Sequence, residues 1–237
     1  MLRPYRAPAG EVVSGYKVLE PIRHGNLTVF PVIAARAHDT AEFITLDEGL
    51  RSGEVVVTES GNISPLMRPR HRHGPIIPQQ YGGGAQVNQL VLVNNSNRPL
   101  ILLAGEIVTG GKQDRVIGKD RLVPAESDPI DLSVFCVEPG RWTGTSAKFD
   151  SYNGAMAQPS VREKAMAEKD QAQVWAEVGK SKESLARNGP PSAAAGIGGL
   201  SSYARVMDNK EVKEQVDSIA EPIQHNYQSL IKPEFRS

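Results

Sequence analysis

Short β-rich runs separated by turn residues fill most of the first 142 residues, and this pattern limits the fold more than any other feature. Only one segment among them, residues 46–51, is predicted as a helix. Asp47 and Glu48 suit its first turn, and Gly53 can end it. A parallel βαβ sheet needs a crossover, usually a helix, between successive strands. The sequence therefore predicts antiparallel sheets packed as a sandwich.

The predicted strands are bounded by glycine, proline and asparagine, residues that punctuate β-structure. They are Tyr16 to Ile22, Leu27 to Ala34, Val55 to Thr58, Gln89 to Asn94, Leu100 to Thr109, Arg115 to Val123 and Ile130 to Glu138. Residues 61–85 contain four prolines and a triple glycine, so we predict an irregular loop there.

Helical patterns replace the strands after residue 145. Ser160 and Glu163 have the spacing of a capping box, which predicts a helix over 160–187. An apolar stripe in the range Val212 to Ile223 predicts a second helix, with a Gly/Pro/Ala-rich connector at 188–200 between the two. We therefore predict an α+β protein. Residues 1–145 form a mainly β domain that carries the candidate site, and residues 146–237 form a helical segment.

Composition excludes several classes of function. Over 237 residues the formal net charge is zero, whereas general nucleic-acid binding and attraction to anionic membranes need a basic excess. No apolar run reaches the roughly 18 residues of a membrane-spanning helix, and the first twenty residues lack the apolar core of a signal peptide. The single cysteine, Cys136, rules out an intramolecular disulfide and fits a reducing compartment. We expect a cytoplasmic protein.

Cys136 and the two glycine motifs each leave alternatives open. Cys136 lies in a predicted strand, where a free cysteine is usually an inert small apolar residue but can be a nucleophile. Gly110-Gly111-Lys112 lacks the Walker spacing, and it predicts either a hairpin turn or an anion-binding nest of backbone amides. The glycines at 196–199 lack a preceding strand and are predicted as linker.

The run Arg68 to His73 is basic and contains a His-x-His pair. It is predicted either as a solvated loop or as a lid that draws anionic ligands toward a site. Neighbouring arginines and the lack of a nearby glutamate disfavour a metal ion. We therefore predict no metal site and no cofactor.

Two carboxylates, Glu106 and Glu138, lie near the ends of predicted strands, with Arg115 and Arg141 close by in the sequence. If the strands are neighbours, these four side chains converge at one rim of the sandwich. Such a group can perform acid–base chemistry or grip a phosphate through its arginines. The alternative is a salt-bridge network that closes the open end of the sandwich.

Three segments resemble a known family: TLDEGLRSGEVVVTE (45–59), LLAGEIVTGGKQDRVI (102–117) and VPAESDPIDLSVFCVEPGRW (123–142). The family is the bacterial domain associated with ADP-ribosylglycohydrolases and rhodanese-phosphatase proteins. The resemblance rests on Gly105-Glu106, on Lys112 to Arg115 and on Cys136 to Trp142. It implies nucleotide-derived ligands of the ADP-ribose or NAD type and brings no established reaction. The family continues into a further strand-rich segment, so either this sequence is a piece of a longer protein or its site lacks one wall.

These observations combine into a hypothetical site for a phosphorylated small molecule. Lys112, Arg115 and Arg141 hold phosphate, Gln113 lines the site, and Trp142 stacks on a ring. Glu106 or Glu138 contacts ribose hydroxyls or acts as a general base. The alternative is a non-catalytic interaction module that docks a partner, or a second copy of the chain, through its C-terminal helices.

Overall fold

The computed structural model describes residues 12–13, 15–34, 40–60, 86–189 and 191–232. The chain forms two compact units, one of Met1–Asp39 with Lys210–Ser237 and one of Thr40–Asn209. The boundary that the sequence predicts at residue 145 lies inside the second unit. The predicted irregular loop, with the run Arg68 to His73, falls outside the described residues.

The strands follow one another as short segments in chain order. They are β1 Val12–Val13, β2 Tyr16–Val18, β3 Ile22–His24, β4 Leu27–Val29, β5 Val32–Ala34, β6 Ile44–Thr45, β7 Val55–Glu59, β8 Gln89–Asn94, β9 Leu100–Leu102, β10 Glu106–Gly110, β11 Arg115–Ile117, β12 Arg121–Val123, β13 Ile130–Cys136 and β14 Phe149–Met156. The helices are α1 Leu46–Ser52, α2 Pro159–Glu163, α3 Gln171–Asn188, α4 Pro191–Gly198, α5 Tyr203–Met207 and α6 Lys210–Ile231, with a π-helical turn at Lys164–Glu168.

The α+β class is confirmed. The larger unit contains an antiparallel sheet in the order β14-β10-β11-β13-β8-β7 and a smaller sheet in the order β12-β9-β6. Its helices α2 to α5 come late in the chain, as the sequence predicts. None of the helices within the described ranges is both long and apolar enough to cross a membrane.

Strand alternation gives the six-stranded sheet two apolar faces. Val108, Ile117 and Val134 point to one face and share a core with the smaller sheet and with α1. Their neighbours in the sequence, Ile107, Val116 and Phe135, point to the other face and pack against residues of the helices α2, α3 and α5. The sheet is therefore the middle layer, and a residue's position in the alternation decides which core it enters.

Helix α1 confirms the local signals in the sequence. The Thr45 side chain accepts a hydrogen bond from the backbone N–H of Glu48, and Gly53 ends the helix in the left-handed conformation at φ +75°. Because both caps depend only on residues within the helix and its flanks, sequence inspection could locate them.

The predicted helix over 160–187 is interrupted. The capping box is wrong: α2 begins at Pro159, and Gln158 precedes it with no side-chain cap. Proline suits the first turn because its φ is already helical and it has no N–H to satisfy. Lys169 then adopts the left-handed conformation at φ +53°, which ends the first helical segment. Asp170 caps α3 by accepting hydrogen bonds from two backbone amides.

Two further predictions in the C-terminal half are corrected. Residues 191–198 of the expected connector form α4, in which Ile197 is buried. Contact with α3 supports this helix despite its glycines. Residues 149–156, which the sequence assigns to the helical segment, form β14 beside β10. Only Phe149 of that strand is buried, so its apolar pattern is weak.

The smaller unit contains the sheet β1-β2-β5, the hairpin β3-β4 and helix α6, which packs against β3. Val212 of α6 is buried, whereas Val216 and Ile219 on the predicted apolar stripe are exposed. The stripe is therefore only partly covered.

Candidate functional site

Register brings two charged segments of the sequence together at one end of the central sheet. Val108 of β10 lies opposite Arg115 of β11, and Arg115 in turn lies opposite Cys136 of β13. The turn at residues 110–114 therefore lies beside the residues that follow β13. We call Lys112 to Arg115 with Glu138 to Trp142 the charged cluster, and Glu59 of β7 adjoins it.

Arg141 links the two segments. It pairs with the Glu138 carboxylate at 2.5 Å and with Asp114 at 3.4 Å. It also donates to the carbonyl oxygens of Gly111 at 3.1 Å and Thr143 at 2.9 Å. Because protein groups engage this guanidinium on several sides, its clearest role is to hold the 110–114 turn against the loop after β13.

Glu138 and Asp114 share Arg141, but their pKa values shift in opposite directions. Burial works to raise the pKa of Glu138, but hydrogen bonds from Arg141, from the Asp114 N–H and from Ser201 together lower it. Burial raises the pKa of Asp114 despite a 2.5 Å hydrogen bond from the Ser202 hydroxyl. Glu138 is therefore the carboxylate that is held ionised. Asp114 is absent from the predicted site, although it lies within the Lys112 to Arg115 segment.

Arg115 is the most unusual member of the cluster, because its side chain is 0% exposed. Alternation places it on the same face as Ile117, at the end of an apolar core. Its Nε and Nη2 atoms have no hydrogen-bond partner among the described residues. Burial lowers its pKa, and Nη2 lies 4.0 Å from Oε1 of Glu59. A buried cation with one whole edge unpaired is costly to maintain.

Trp142 and Lys112 cover this arginine. The Lys112 Nζ atom lies 5.0 Å from the centroid of the Trp142 ring, and Cζ of Arg115 lies 5.9 Å from it. These are cation–π distances. The indole is 44% exposed and belongs to an exposed loop at residues 139–148. Trp142 thus separates the buried arginine from solvent.

Gln113 and Cys136 complete the interior. The Gln113 side-chain amide donates to the Glu138 carbonyl oxygen at 3.2 Å, and its Oε1 is buried with no partner among the described residues. Cys136 is buried, and burial raises the pKa of its thiol. A protonated, covered thiol is a poor nucleophile, which favours the inert alternative.

Glu106 lies elsewhere, so the expected convergence of the two carboxylates is wrong. Gly105, at φ +98°, separates β9 from β10, and Glu106 begins β10 instead of ending a longer strand. Glu106 lies four residues along β10 from Gly110, where the turn at residues 110–114 begins. This separation is roughly 13 Å. Its Oε2 accepts from the Leu103 N–H at 2.7 Å, and its pKa is raised by burial and further by Asp47 and Asp120.

A groove of about 490 Å³ lies outside the charged cluster. Its described lining residues are Gln86, Asn88, Gln89, Asp131, Leu132, Ser133, Phe135 and Lys169. Within the described ranges, no group of three or more His, Cys, Asp or Glu residues is arranged to hold a metal ion. The His-x-His pair of the sequence lies outside those ranges.

No curated protein matches the chain, and no solved structure matches it. The family model for the ARG and Rhodanese-Phosphatase-superfamily-associated Protein domain (ARPP-1) matches residues 15–229. This range contains all three segments that carry the resemblance in the sequence and the whole charged cluster. The chain belongs to the ARPP-1 domain family.

Proposed function

We propose that this protein binds a phosphorylated, nucleotide-derived small molecule of the ADP-ribose or NAD type at the charged cluster. The observation that carries the proposal is the unpaired edge of Arg115. Nε–H and one Nη2–H of a guanidinium point in parallel and match two oxygens of one phosphate. A bound anion would supply the hydrogen-bond partners that Nε and Nη2 of this buried cation lack among the described residues.

The surrounding residues fit the same ligand. Lys112 adds a second cation beside Arg115, and the exposed part of the Trp142 indole offers a surface for a base or nicotinamide ring. Gln113 presents an unpaired carbonyl oxygen to a ligand donor. Glu138 and Arg141 keep these side chains in place, and we assign Glu106 no part. Because Arg115 is covered, ligand entry requires the Trp142 loop to move aside.

The first prediction concerns ADP-ribose and Arg115. At 100 times its dissociation constant, ADP-ribose should stabilise the protein by about 2.7 kcal/mol in thermal unfolding. Arg115→Lys should weaken binding about 10- to 100-fold, because lysine cannot pair two phosphate oxygens through a planar edge. Calorimetric titration measures the change. Arg121→Lys, at an exposed arginine, is the matched control and should bind as the wild type does.

Trp142→Ala provides a second variant at an exposed position, whose fold should be intact. It should weaken the binding of ADP-ribose by roughly 1–3 kcal/mol, the contribution of an aromatic ring stacked on a base. If ADP-ribose, NAD and AMP all leave the unfolding temperature of the wild type unchanged, the proposed ligand class is wrong.

A second function, self-association, is favoured by the exposed apolar side chains of the smaller unit. Seven of the thirteen exposed large apolar residues among the described residues belong to this unit: Tyr16, Leu27, Phe30, Val32, Val216, Ile219 and Tyr227. The larger unit has the other six over a much longer chain. Contiguous exposed apolar side chains are typical of interaction surfaces, and Val216 and Ile219 are neighbours at i, i+3 on α6.

The second prediction tests this surface on α6. Replacing Val216 and Ile219 together by serine should weaken self-association at least about tenfold, because each side chain contributes roughly 1–2 kcal/mol of apolar burial. The unfolding free energy should change by less than about 0.5 kcal/mol, since both side chains are already exposed. Sedimentation at several concentrations measures it, with Asp217→Ser as the control. A wild type that stays monomeric at the highest concentration contradicts this function.

A further inference from the structure

Glu59 is an acidic residue next to the unpaired edge of Arg115, and it is not among the site residues that the sequence predicts. It ends β7, and alternation puts it on the same face as Val57, which is buried in the apolar core. Its Oε1 accepts a 2.8 Å hydrogen bond from the backbone N–H of Lys112. Its Oε2 is buried and has no partner among the described residues.

Glu59 and Arg115 are close without satisfying each other. The 4.0 Å between Oε1 and Nη2 is too long for a hydrogen bond. Within the described ranges, the Nε and Nη2 atoms of Arg115 and the Oε2 atom of Glu59 therefore all lack a hydrogen-bond partner. A buried charged group whose polar atoms lack hydrogen-bond partners costs several kcal/mol, which a group bound next to both side chains would offset.

The charges at this position restrict the chemistry of that group. A fully ionised phosphate offers acceptors only, so it satisfies Arg115 but is repelled by Glu59. A hydroxyl next to the phosphate reduces the conflict, because it donates to the carboxylate while the phosphate oxygens accept from the guanidinium. The unpaired Oε1 of Gln113 is a further acceptor for a ligand hydroxyl.

We propose that Glu59 is a specificity-determining residue that accepts a hydrogen bond from a sugar hydroxyl of the ligand. The site then selects sugar phosphates, in which hydroxyl and phosphate lie close together, over phosphate groups that lack a neighbouring donor. This inference rests on the proposed function and names the part of the ligand that the cluster recognises.

The experiment compares two probes in displacing bound ADP-ribose. Ribose 5-phosphate carries the hydroxyls, and tetrahydrofurfuryl phosphate has the same ring and phosphate without them. The wild type should bind ribose 5-phosphate about 10- to 100-fold more tightly, as expected for a hydrogen bond to a buried carboxylate. Glu59→Gln keeps an oxygen for the Lys112 N–H but replaces the open acceptor by a donor. This variant should reduce the preference for ribose 5-phosphate to less than about threefold, mainly by weakening the binding of ribose 5-phosphate.

Glu54→Gln, at the residue that precedes β7, is the matched control. It should keep the wild-type preference for ribose 5-phosphate. Equal displacement by both probes in the wild type overturns the inference whether or not the variant folds. An equal loss of affinity for both probes in Glu59→Gln also overturns the inference, because Glu59 is then only structural. If neither probe displaces ADP-ribose, the ribose phosphate is not the recognised part, although the proposed function stands. If ADP-ribose itself does not bind, the proposed function fails first.

Discussion

Replacing Gly111 by alanine is expected to lower the free energy of unfolding by about 3 kcal/mol. Gly111 has φ +49°, a left-handed conformation that costs an L-residue roughly 1 kcal/mol. A Cβ atom there would also lie 2.5 Å from Cε2 of Phe149 and 2.8 Å from Oε1 of Glu59. Phe149 is buried in the core and cannot give way, so overpacking adds a further cost of about 2 kcal/mol.

Gly140→Ala separates the two causes. Gly140 also has a positive φ, +92°, but no heavy atom lies within 4 Å of a Cβ added there. Its substitution should cost only the backbone strain, roughly 1 kcal/mol. Urea unfolding of both variants at a common m-value measures the difference. Equal losses at the two positions would show that contact with Phe149 does not restrict Gly111.

Glu138→Gln is expected to lower the free energy of unfolding by about 2 kcal/mol at neutral pH. Breaking a fully buried ion pair costs about 3–5 kcal/mol, and the loss here should be smaller because the Arg141 side chain is 19% exposed. Among the described residues, removal of this carboxylate leaves Asp114 as the one ionic partner of Arg141. The Asp114 N–H and Ser201 also lose a charged acceptor. The loss should be visible in thermal and urea unfolding.

The same variant should remove part of the acid sensitivity of the protein. Hydrogen bonds hold the pKa of Glu138 in the folded protein below its ordinary value. The stabilisation is therefore present above the unfolded pKa of about 4.3 and is lost as the pH falls through the lower folded pKa. The difference between wild type and Glu138→Gln should be constant near neutral pH and should shrink in acid. Glu214→Gln, at an exposed ion pair on α6, is the control, and an equal pH profile for it contradicts the assignment.

The cluster combines polar groups that have protein partners with polar groups that lack them among the described residues, and under the proposed function this difference separates support from binding. Arg141, Glu138 and Asp114 have protein partners, so their substitution should act mainly on stability. Arg115, Glu59 and Gln113 have polar atoms without partners among the described residues, so under the proposed function their substitution should act mainly on ligand affinity. Under the proposed function, the salt-bridge network that the sequence offers as an alternative and a binding site can occupy the same rim.

Sequence alone determined the features that depend on neighbours along the chain. The helix at Leu46–Ser52, the strands around Gln89–Asn94 and Ile130–Cys136, and the family membership all follow from local caps, alternation and ordered motifs. It also indicated that the residues after Gly110 and after Cys136 belong together. Short-range propensities and alternation suffice for this, because each acts within a few residues.

Tertiary structure alone decided which charges meet. Glu106 and Glu138 have similar sequence surroundings, but the break at Gly105 and the antiparallel register put them at opposite ends of the strands. Glu59 is more than fifty residues from Lys112, and three strands lie between β7 and β10 in the sheet. It joins the cluster because β7 also contacts β14, the strand that pairs with β10. The physical reason is that strand pairing is non-local: register depends on the packing of both sheet faces at once, which no single segment specifies.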